Sequence, residues 1–265
     1  MSHLKAVLWD VDGTMAETER DGHRVAFNRA FTDAGLDWHW DVPRYGELLR
    51  ITGGRERILH DLQTRSDAPA LGDEREALAR RLHQAKNRHY ADLLATEGMP
   101  LRPGVAELLA EVREQGLKLG IVTTTSRANV DALLRLHLGA DWARQFDVRI
   151  CGEDVQTKKP DPEAYLLALA ALKLSPLQAV AIEDSPGGVA AACAAGLPVV
   201  VTRSEYFHRA TLEGAVAIGP GLHSREGWRP ANEAVAADPG RVTLDDLRSW
   251  VAQRDSVSQF GELGN

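Results

Sequence analysis

The chain has 265 residues, 44% of them apolar, and carries a net charge of −7 at pH 7. This length is enough for one large hydrophobic core and a smaller appended unit. The negative charge argues against nucleic acid or an anionic membrane as the main partner. The sequence shows neither a signal-peptide pattern nor an apolar stretch of transmembrane length, and its two cysteines resemble reduced packing residues. We therefore expect a monomeric protein of the cytoplasm, or of a soluble plastid-like compartment if the source is a phototrophic eukaryote.

The first predicted element is an apolar strand over residues 4–9 that ends at two acidic residues, Asp10 and Asp12. Residues at i and i+2 of an extended chain project to the same side, so both carboxylates should face one small volume. Two like charges there would raise each other's pKa unless a cation lies between them, which implies a metal ion. An ordinary Asp-Gly turn after a strand is the alternative explanation of the same residues.

Helical periodicity without any strong strand follows from about residue 17 to 98, with helices predicted over 22–34, 42–49, 54–63 and 73–95. Because strands resume only near residue 117, this region is predicted to be a helical insertion after the first strand. Gly53 and Gly54 would expose backbone N–H groups beside Arg55, an arrangement suited to binding phosphate at a helix amino terminus. Each candidate binding residue also has a structural explanation, as a solvated charge on a helix or a glycine in a turn. The candidates are Glu17, His23, Thr52, Gly53, Gly54, Arg55 and Lys86.

Beyond Pro103, helix and strand patterns alternate, with helices over 104–115 and 129–138 and strands over 117–122 and 146–150. This alternation is typical of a doubly wound parallel sheet. The strand over 117–122 runs into four hydroxyl residues, which β propensity alone could explain. A further helix is predicted after Pro162, with Asp161 as its N-cap, and it leaves Lys158 and Lys159 in the preceding loop.

A second acidic strand end occurs at Glu183 and Asp184, between an apolar strand over 179–182 and a helix over 185–195. Parallel strands present their carboxyl ends at one edge of the sheet, so these acids should share a cleft with Asp10 and Asp12. Four carboxylates with room for water and phosphate suit Mg²⁺. Strands over 198–202 and 215–218 continue the sheet. An irregular segment (222–238), a short helix (244–251) and a disordered tail (251–265) are then expected.

These motifs resemble, in chain order, those of the haloacid dehalogenase superfamily of phosphotransferases: Asp10-Val11-Asp12-Gly13-Thr14, Thr123 after a strand, Lys159 before a proline, and Glu183-Asp184. The resemblance covers roughly residues 1–218. It is closest to the β-phosphoglucomutase-like branch, and within that to CbbY-type phosphatases, which hydrolyse xylulose 1,5-bisphosphate. The closer match is carried by Trp38, Trp40, Asp41, Tyr45, the turn over 52–54 and the run over 123–126. Before His23, this chain has one residue more than those proteins.

The resemblance implies an α/β fold, with a doubly wound Rossmann-like parallel sheet formed by residues 1–16 and 99–250 and an inserted α-helical cap over 17–98. It implies a nucleophile at Asp10, an acid/base at Asp12, a phosphate donor at Thr123 and a charge-screening ammonium at Lys159. The expected Mg²⁺ ligands are Asp10, the Asp12 carbonyl and Asp184, with Glu183 as a neighbour or occasional ligand. The expected substrate is a small phosphorylated sugar bound by Glu17, His23, Thr52, Gly53, Gly54, Arg55, Lys86, Thr124, Thr125 and Ser126.

A phosphatase acting through an aspartyl-phosphate is the function these features favour, and a sugar phosphomutase is the nearest alternative. A receiver-type signalling domain also uses a strand-end aspartate, magnesium and lysine. The helical insertion of about eighty residues and the acid/base at Asp12 argue against that class. Dehalogenase activity is disfavoured because a leaving halide needs no proton from Asp12.

Overall fold

The computed structural model of the protein describes residues 4–231 and 240–261, and its contacts divide the chain into two compact units. The first unit contains Met1–Ala16, Leu101–Thr123 and Arg144–Asn265, and the second contains Glu17–Pro100 and Thr124–Ala143. The helices in chain order are α1 (Arg24–Asp33), α2 (Val42–Leu48), α3 (Gly54–Leu62), α4 (Gly72–Thr96), α5 (Val105–Glu114), α6 (Arg127–Leu138), α7 (Glu163–Leu172), α8 (Pro186–Ala194) and α9 (Leu244–Gly261).

The first unit is organised by a parallel sheet. Its strands are β1 (Ala6–Trp9), β2 (Lys118–Val122), β3 (Val148–Ile150), β4 (Ala179–Glu183), β5 (Val199–Thr202) and β6 (Ala217–Gly219). In the described residues they lie in the order β3-β2-β1-β4-β5-β6, and every pair is parallel. This order reverses direction between β1 and β4, where doubly wound sheets bind their ligands. The predicted fold class is therefore confirmed.

The strands are apolar throughout because both of their faces are buried. On one face, Leu8 of β1 packs in a single cluster with Tyr165 of α7 and Val189 of α8. Strand residues of the opposite parity, such as Val7, are fully buried as well, while α5 packs against β2 and α9 packs against α5. Strands buried on both faces produce continuous apolar runs, which is why the sequence pattern located them.

The second unit is built around α4, which contacts α1, α3 and α6. Its core is aromatic, with the ring centroids of Phe27 and Phe31 lying 4.8 Å and 4.9 Å from that of Trp40. The helix predicted over 129–138 was expected in the sheet domain, but α6 falls in the second unit because it packs against α4. Hydrophobic periodicity locates a buried face of a helix without identifying what covers it.

A π-helix, Glu19–His23, leads into α1. A π-turn holds one residue more than an α-turn, which matches the extra residue noted before His23. A Cβ added to Gly22 would lie 2.6 Å from the Met99 side chain. The π-turn therefore needs a glycine at position 22, where it packs against the last residues of the helical insertion.

The carboxyl-terminal helix corrects one expectation. Residues 251–261, expected to be disordered, continue α9. The helix is held because Leu247 and Trp250 are buried, and because the Trp250 ring stacks on Trp228 at a centroid distance of 4.7 Å. Residues 232–238 of the predicted irregular segment and residues 262–265 of the predicted tail lie outside the described residues. None of the helices in the described part of the chain is long and apolar enough to cross a bilayer.

Candidate active site

Three acidic residues lie at the carboxyl ends of the neighbouring strands β1 and β4. Asp10 directly follows β1, Glu183 is the last residue of β4, and Asp184 comes next. The parallel register pairs Trp9 with Ile182, so the two acidic strand ends lie side by side. Each of the three carboxylates offers an oxygen within 4.8 Å of the others, and all three side chains are buried. The structure therefore brings together three of the four acids predicted to share this edge.

Lys159 supplies positive charge to this cluster from the loop before α7. Its ammonium donates hydrogen bonds to Asp10 Oδ1 at 2.8 Å, to Glu183 Oε1 at 2.6 Å and to the Val122 carbonyl at 2.7 Å. The side chain is only 4% exposed, so the ion pairs form away from bulk water and are weakly screened. One lysine thus bridges the end of β1 to the end of β4.

Burial and neighbouring charges shift the pKa values of Asp10 and Lys159. Burial raises the pKa of Asp10 to about 7, against the lowering effect of Lys159, and Glu183 and Asp12 add to the rise. Although burial disfavours the charged form of Lys159, the neighbouring carboxylates of Asp10 and Glu183 raise its pKa above the ordinary value. The ammonium therefore stays charged, and it does not neutralise all of the acids around it.

The cluster fits a hard divalent cation. Glu183 Oε2 is buried and accepts no hydrogen bond from the described residues, and the acids of the cluster carry more negative charge than Lys159 offsets. Carboxylate oxygens are the ligands that Mg²⁺ prefers. The Asp12 carboxylate lies outside this group of three, and the ligand expected from Asp12 is its main-chain carbonyl, which stays a prediction.

Sequence reasoning missed Tyr165 of α7. Its hydroxyl donates to Glu183 Oε1 at 2.5 Å, the oxygen that also accepts from Lys159. Burial, followed by the charges of Glu183 and Asp10, raises the pKa of this phenol well above its usual value, so it stays a donor. A tyrosine on the apolar face of a helix gives no signal beyond core packing, which explains the omission.

Hydroxyl groups also hold the two aspartates. Thr14 Oγ1 donates to Asp10 Oδ2 at 3.2 Å, and Ser204 Oγ donates to Asp184 Oδ2 at 2.5 Å. Ser204 was missed, although polar residues that follow β5 at the same edge of the sheet were a usable signal. Thr123, predicted to contact phosphate, directly follows β2 and is 2% exposed.

The predicted phosphate-binding turn lies in the second unit at the start of α3. Gly53 is the N-cap residue with a φ of 97°, a conformation that favours glycine. A Cβ on Gly54 would lie 2.8 Å from the His83 ring, so close packing also requires a glycine there. The Arg55 side chain is 42% exposed and pairs with Glu76 at 3.5 Å. Backbone conformation and close packing thus explain why glycines occupy positions 53 and 54, and the role of these glycines in binding phosphate stays a prediction.

Two further predicted residues are buried inside the second unit. The Lys86 ammonium lies 5.2 Å from the ring centroids of both Phe27 and Tyr90, and the His23 ring lies 4.1 Å from that of Tyr90. A buried lysine over aromatic rings is stabilised by cation–π attraction. Of the remaining candidates in the helical insertion, Glu17 is exposed and Thr52 is partly exposed.

The hydroxyl run after Thr123 falls in the second unit and starts α6. Ser126 is the N-cap and accepts from the Asn129 N–H at 3.3 Å, while Thr125 Oγ1 accepts from the Asn129 amide at 3.0 Å. The first bond makes Ser126 a helix-capping residue, and the second ties Thr125 to the side-chain amide of Asn129. The predicted substrate contacts of Thr124, Thr125 and Ser126 stay predictions.

The chain is similar to known proteins in both sequence and structure. Residues 4–196 match the family model of haloacid dehalogenase-like hydrolases. The plasmid-borne protein CbbY of Cupriavidus necator is 43% identical over 248 residues, which cover 93% of this chain and 96% of that protein. A phosphorylated carbohydrates phosphatase of Thermotoga maritima is 35% identical, over 81% of this chain and 94% of its own. A crystal structure of a CbbY mutant from Rhodobacter sphaeroides in complex with xylulose-(1,5)bisphosphate has a TM-score of 0.77 and 41% identity, covering 82% of this chain and 94% of that one.

Proposed function

The chain belongs to the haloacid dehalogenase-like hydrolases, and we propose that this member is a Mg²⁺-dependent phosphatase of a small phosphorylated sugar, with xylulose 1,5-bisphosphate as the first candidate substrate. The observation that carries the proposal is the buried Lys159 ammonium, which joins Asp10 to Glu183 at the point where the strand order reverses. The similarity to CbbY proteins, one of them crystallised with xylulose bisphosphate, supports the choice of sugar.

Asp10 is the proposed nucleophile. Its carboxylate attacks phosphorus in line, forms an aspartyl-phosphate and displaces the sugar oxygen. Thr14 holds one carboxylate oxygen of Asp10 and Lys159 holds the other, so the attacking group is oriented before the substrate arrives. The same ammonium offsets the repulsion between the carboxylate and the anionic phosphate.

The proposed Mg²⁺ ligands are Asp10, Asp184 and the Asp12 carbonyl, with Glu183 as a buried neighbour. When bound, the ion supplies positive charge that balances these acids and the phosphate oxygens. Removal of divalent cations with a chelator should therefore abolish turnover, and added Mg²⁺ should restore it.

Asp12 is the proposed proton carrier. It protonates the leaving sugar oxygen and then accepts a proton from the water that hydrolyses the aspartyl-phosphate. Its side chain is only partly buried, in contrast to that of Asp10. Partial exposure is compatible with a group that must exchange its proton in each cycle.

A phosphate-release screen over sugar mono- and bisphosphates with Mg²⁺ tests the proposal. We expect xylulose 1,5-bisphosphate to give the highest kcat/KM and one inorganic phosphate per sugar. Absence of phosphate release from every sugar phosphate, with an isomeric sugar phosphate formed instead, would show a phosphomutase. A bisphosphate activator should be included, because a mutase conserves organic phosphate whereas a phosphatase releases it.

A further inference from the structure

Asp184 is held from one side by Ser204. The two side chains are 3% and 4% exposed, and the serine hydroxyl donates to Asp184 Oδ2 at 2.5 Å. Ser204 lies just beyond the end of β5, two residues after Thr202. Because a carboxylate is planar, fixing one oxygen also restricts the direction of the other, which is what a cation ligand requires.

The backbone of Gly13 approaches the same carboxylate oxygen closely from another side. A Cβ at position 13 would lie 2.2 Å from Asp184 Oδ2 and 3.2 Å from the Ser204 Cβ, and the φ of Gly13 is 84°. No other residue type fits this approach without displacing the carboxylate. The position of Asp184 therefore depends on two loops, the one after β1 and the one after β5.

The guanidinium of Arg102 ties these two loops together. One terminal nitrogen donates to the carbonyls of Gly13 at 2.5 Å and Thr202 at 3.1 Å. The other donates to the carbonyls of Arg203 at 2.6 Å and Pro220 at 3.1 Å. An arginine presents several donors in one rigid plane, so a single side chain can fix four carbonyls in defined directions.

We propose that Arg102 and Ser204 are positioning residues that hold Asp184 in the orientation needed to bind the divalent cation. Arg102 fixes the backbone of the two loops that approach Asp184, at Gly13 and at Thr202–Arg203, and Ser204 contacts the carboxylate directly. This inference rests on the proposed Mg²⁺ site and adds to it two residues that lie outside the four sequence motifs. Partners of this kind typically change metal affinity by about ten- to a hundredfold when they are removed.

Binding of Mn²⁺ to the full-length protein, followed by the electron paramagnetic resonance signal of free Mn²⁺, tests the proposal without any turnover. We expect Ser204→Ala to raise the dissociation constant of Mn²⁺ by about ten- to a hundredfold. Arg102→Lys should raise it in the same direction, since one ammonium cannot reach four carbonyls. The metal-free Ser204→Ala protein should unfold at a somewhat lower temperature than the wild type, since a buried carboxylate loses one donor, but it should remain folded at the temperature of the binding assay.

Ser175→Ala is the matched control. Ser175 caps the short turn Pro176–Gln178 before β4, at the opposite end of the strand from Asp184, and its loss should leave Mn²⁺ affinity unchanged. Asp184→Asn identifies the site, since it should abolish the binding seen in the wild type. Wild-type binding that does not depend on Asp184 would contradict the proposed metal site itself.

If Asp184→Asn abolishes binding while Ser204→Ala keeps a dissociation constant within about twofold of the wild type, the positioning role is overturned. The same conclusion follows if Ser175→Ala weakens binding as much as Ser204→Ala does. If Arg102→Lys fails to fold, the Mn²⁺ affinity of Ser204→Ala alone tests whether Asp184 depends on positioning residues.

Discussion

At the scale of single residues, the two aspartates after β1 have different surroundings. Asp10 is buried and bonded to Lys159 and Thr14, whereas Asp12 is partly exposed. Asp10→Asn should leave no turnover on any phosphate ester, because it removes the proposed nucleophile. Asp12→Asn keeps the nucleophile, so its effect should depend on how much the leaving group needs a proton.

With p-nitrophenyl phosphate, Asp12→Asn should release one nitrophenol per enzyme in a burst and then turn over slowly. Nitrophenolate leaves without protonation, but hydrolysis of the aspartyl-phosphate still needs a base, and we expect that step to slow by about a hundredfold or more. Sugar phosphates should show almost no reaction. Rapid mixing with mass spectrometry of the quenched protein measures both events. A burst without phosphorylated protein, or phosphate on a residue other than Asp10, would contradict the proposed roles of the two aspartates.

Gly188 in α8 leaves the space that the Glu183 side chain occupies. A Cβ at this position would lie 1.9 Å from Glu183 Oε2, so Gly188→Ala should push Glu183 away from Lys159 and lower both stability and kcat. We expect a loss of about 1–3 kcal/mol in the free energy of unfolding, as for other overpacked buried sites. Urea denaturation and phosphatase assays measure the two effects.

Gly72→Ala is the control for the glycine substitution, because nothing lies within 4 Å of a Cβ added there. That variant should keep its activity and not lose stability, since alanine favours a helix over glycine. Equal stability of the two variants would contradict the close approach of Gly188 to Glu183.

At the scale of elements, Asp61 joins three segments of the second unit. Its buried carboxylate on α3 accepts hydrogen bonds from Trp40 Nε1 at 3.0 Å, Arg44 at 2.7 Å and Arg65 at 2.7 Å. Burial alone would raise the pKa of Asp61, but the bonds from Arg44, Trp40 and Arg65 outweigh it and lower the pKa below 3.8. The carboxylate therefore stabilises the fold in its ionised form.

Because the pKa of Asp61 is lower in the folded state, its stabilisation is complete above its ordinary value of 3.8 and is lost as the pH falls through the folded-state value. Asp61→Asn should cost about 2 kcal/mol of unfolding free energy at neutral pH, and the difference from wild type should shrink in acid. Urea denaturation followed by circular dichroism across this range checks it. Asp92→Asn, at an exposed position of α4, should change little at any pH, and a constant wild-type difference for Asp61→Asn would contradict the argument.

At the scale of the whole molecule, the residues proposed for the chemistry lie in the first unit, whereas most of those proposed to bind the sugar lie in the second. Arg55 belongs to the second unit, is 42% exposed and pairs on the surface with Glu56 and Glu76, so Arg55→Ala should fold normally. If Arg55 binds a distal group of the sugar, its loss should lower kcat/KM on the sugar phosphate by a factor of about ten to a thousand. Hydrolysis of p-nitrophenyl phosphate should barely change.

Steady-state kinetics on both substrates measure this selectivity, with Arg80→Ala as the control because Arg80 is also exposed on the second unit. Equal losses on the two substrates would give Arg55 a structural role instead. Lys86→Ala is expected to show the same selectivity, but it also removes a side chain buried between two aromatic rings, so its unfolding free energy must be measured in parallel.

The fold class, most element positions and the central acids follow from the residue pattern. Apolar runs that stop at charged residues are local signals, and parallel strand ends necessarily meet at one edge, so the residue pattern alone predicts that Asp10 and Glu183 lie together. Three features depend on the tertiary structure: α6 packs with the second unit, α9 continues to residue 261, and Ser204 donates to Asp184 while Arg102 joins the loops after β1 and β5. Those contacts join segments far apart in the chain, and periodicity shows that a face is buried without showing which distant segment covers it.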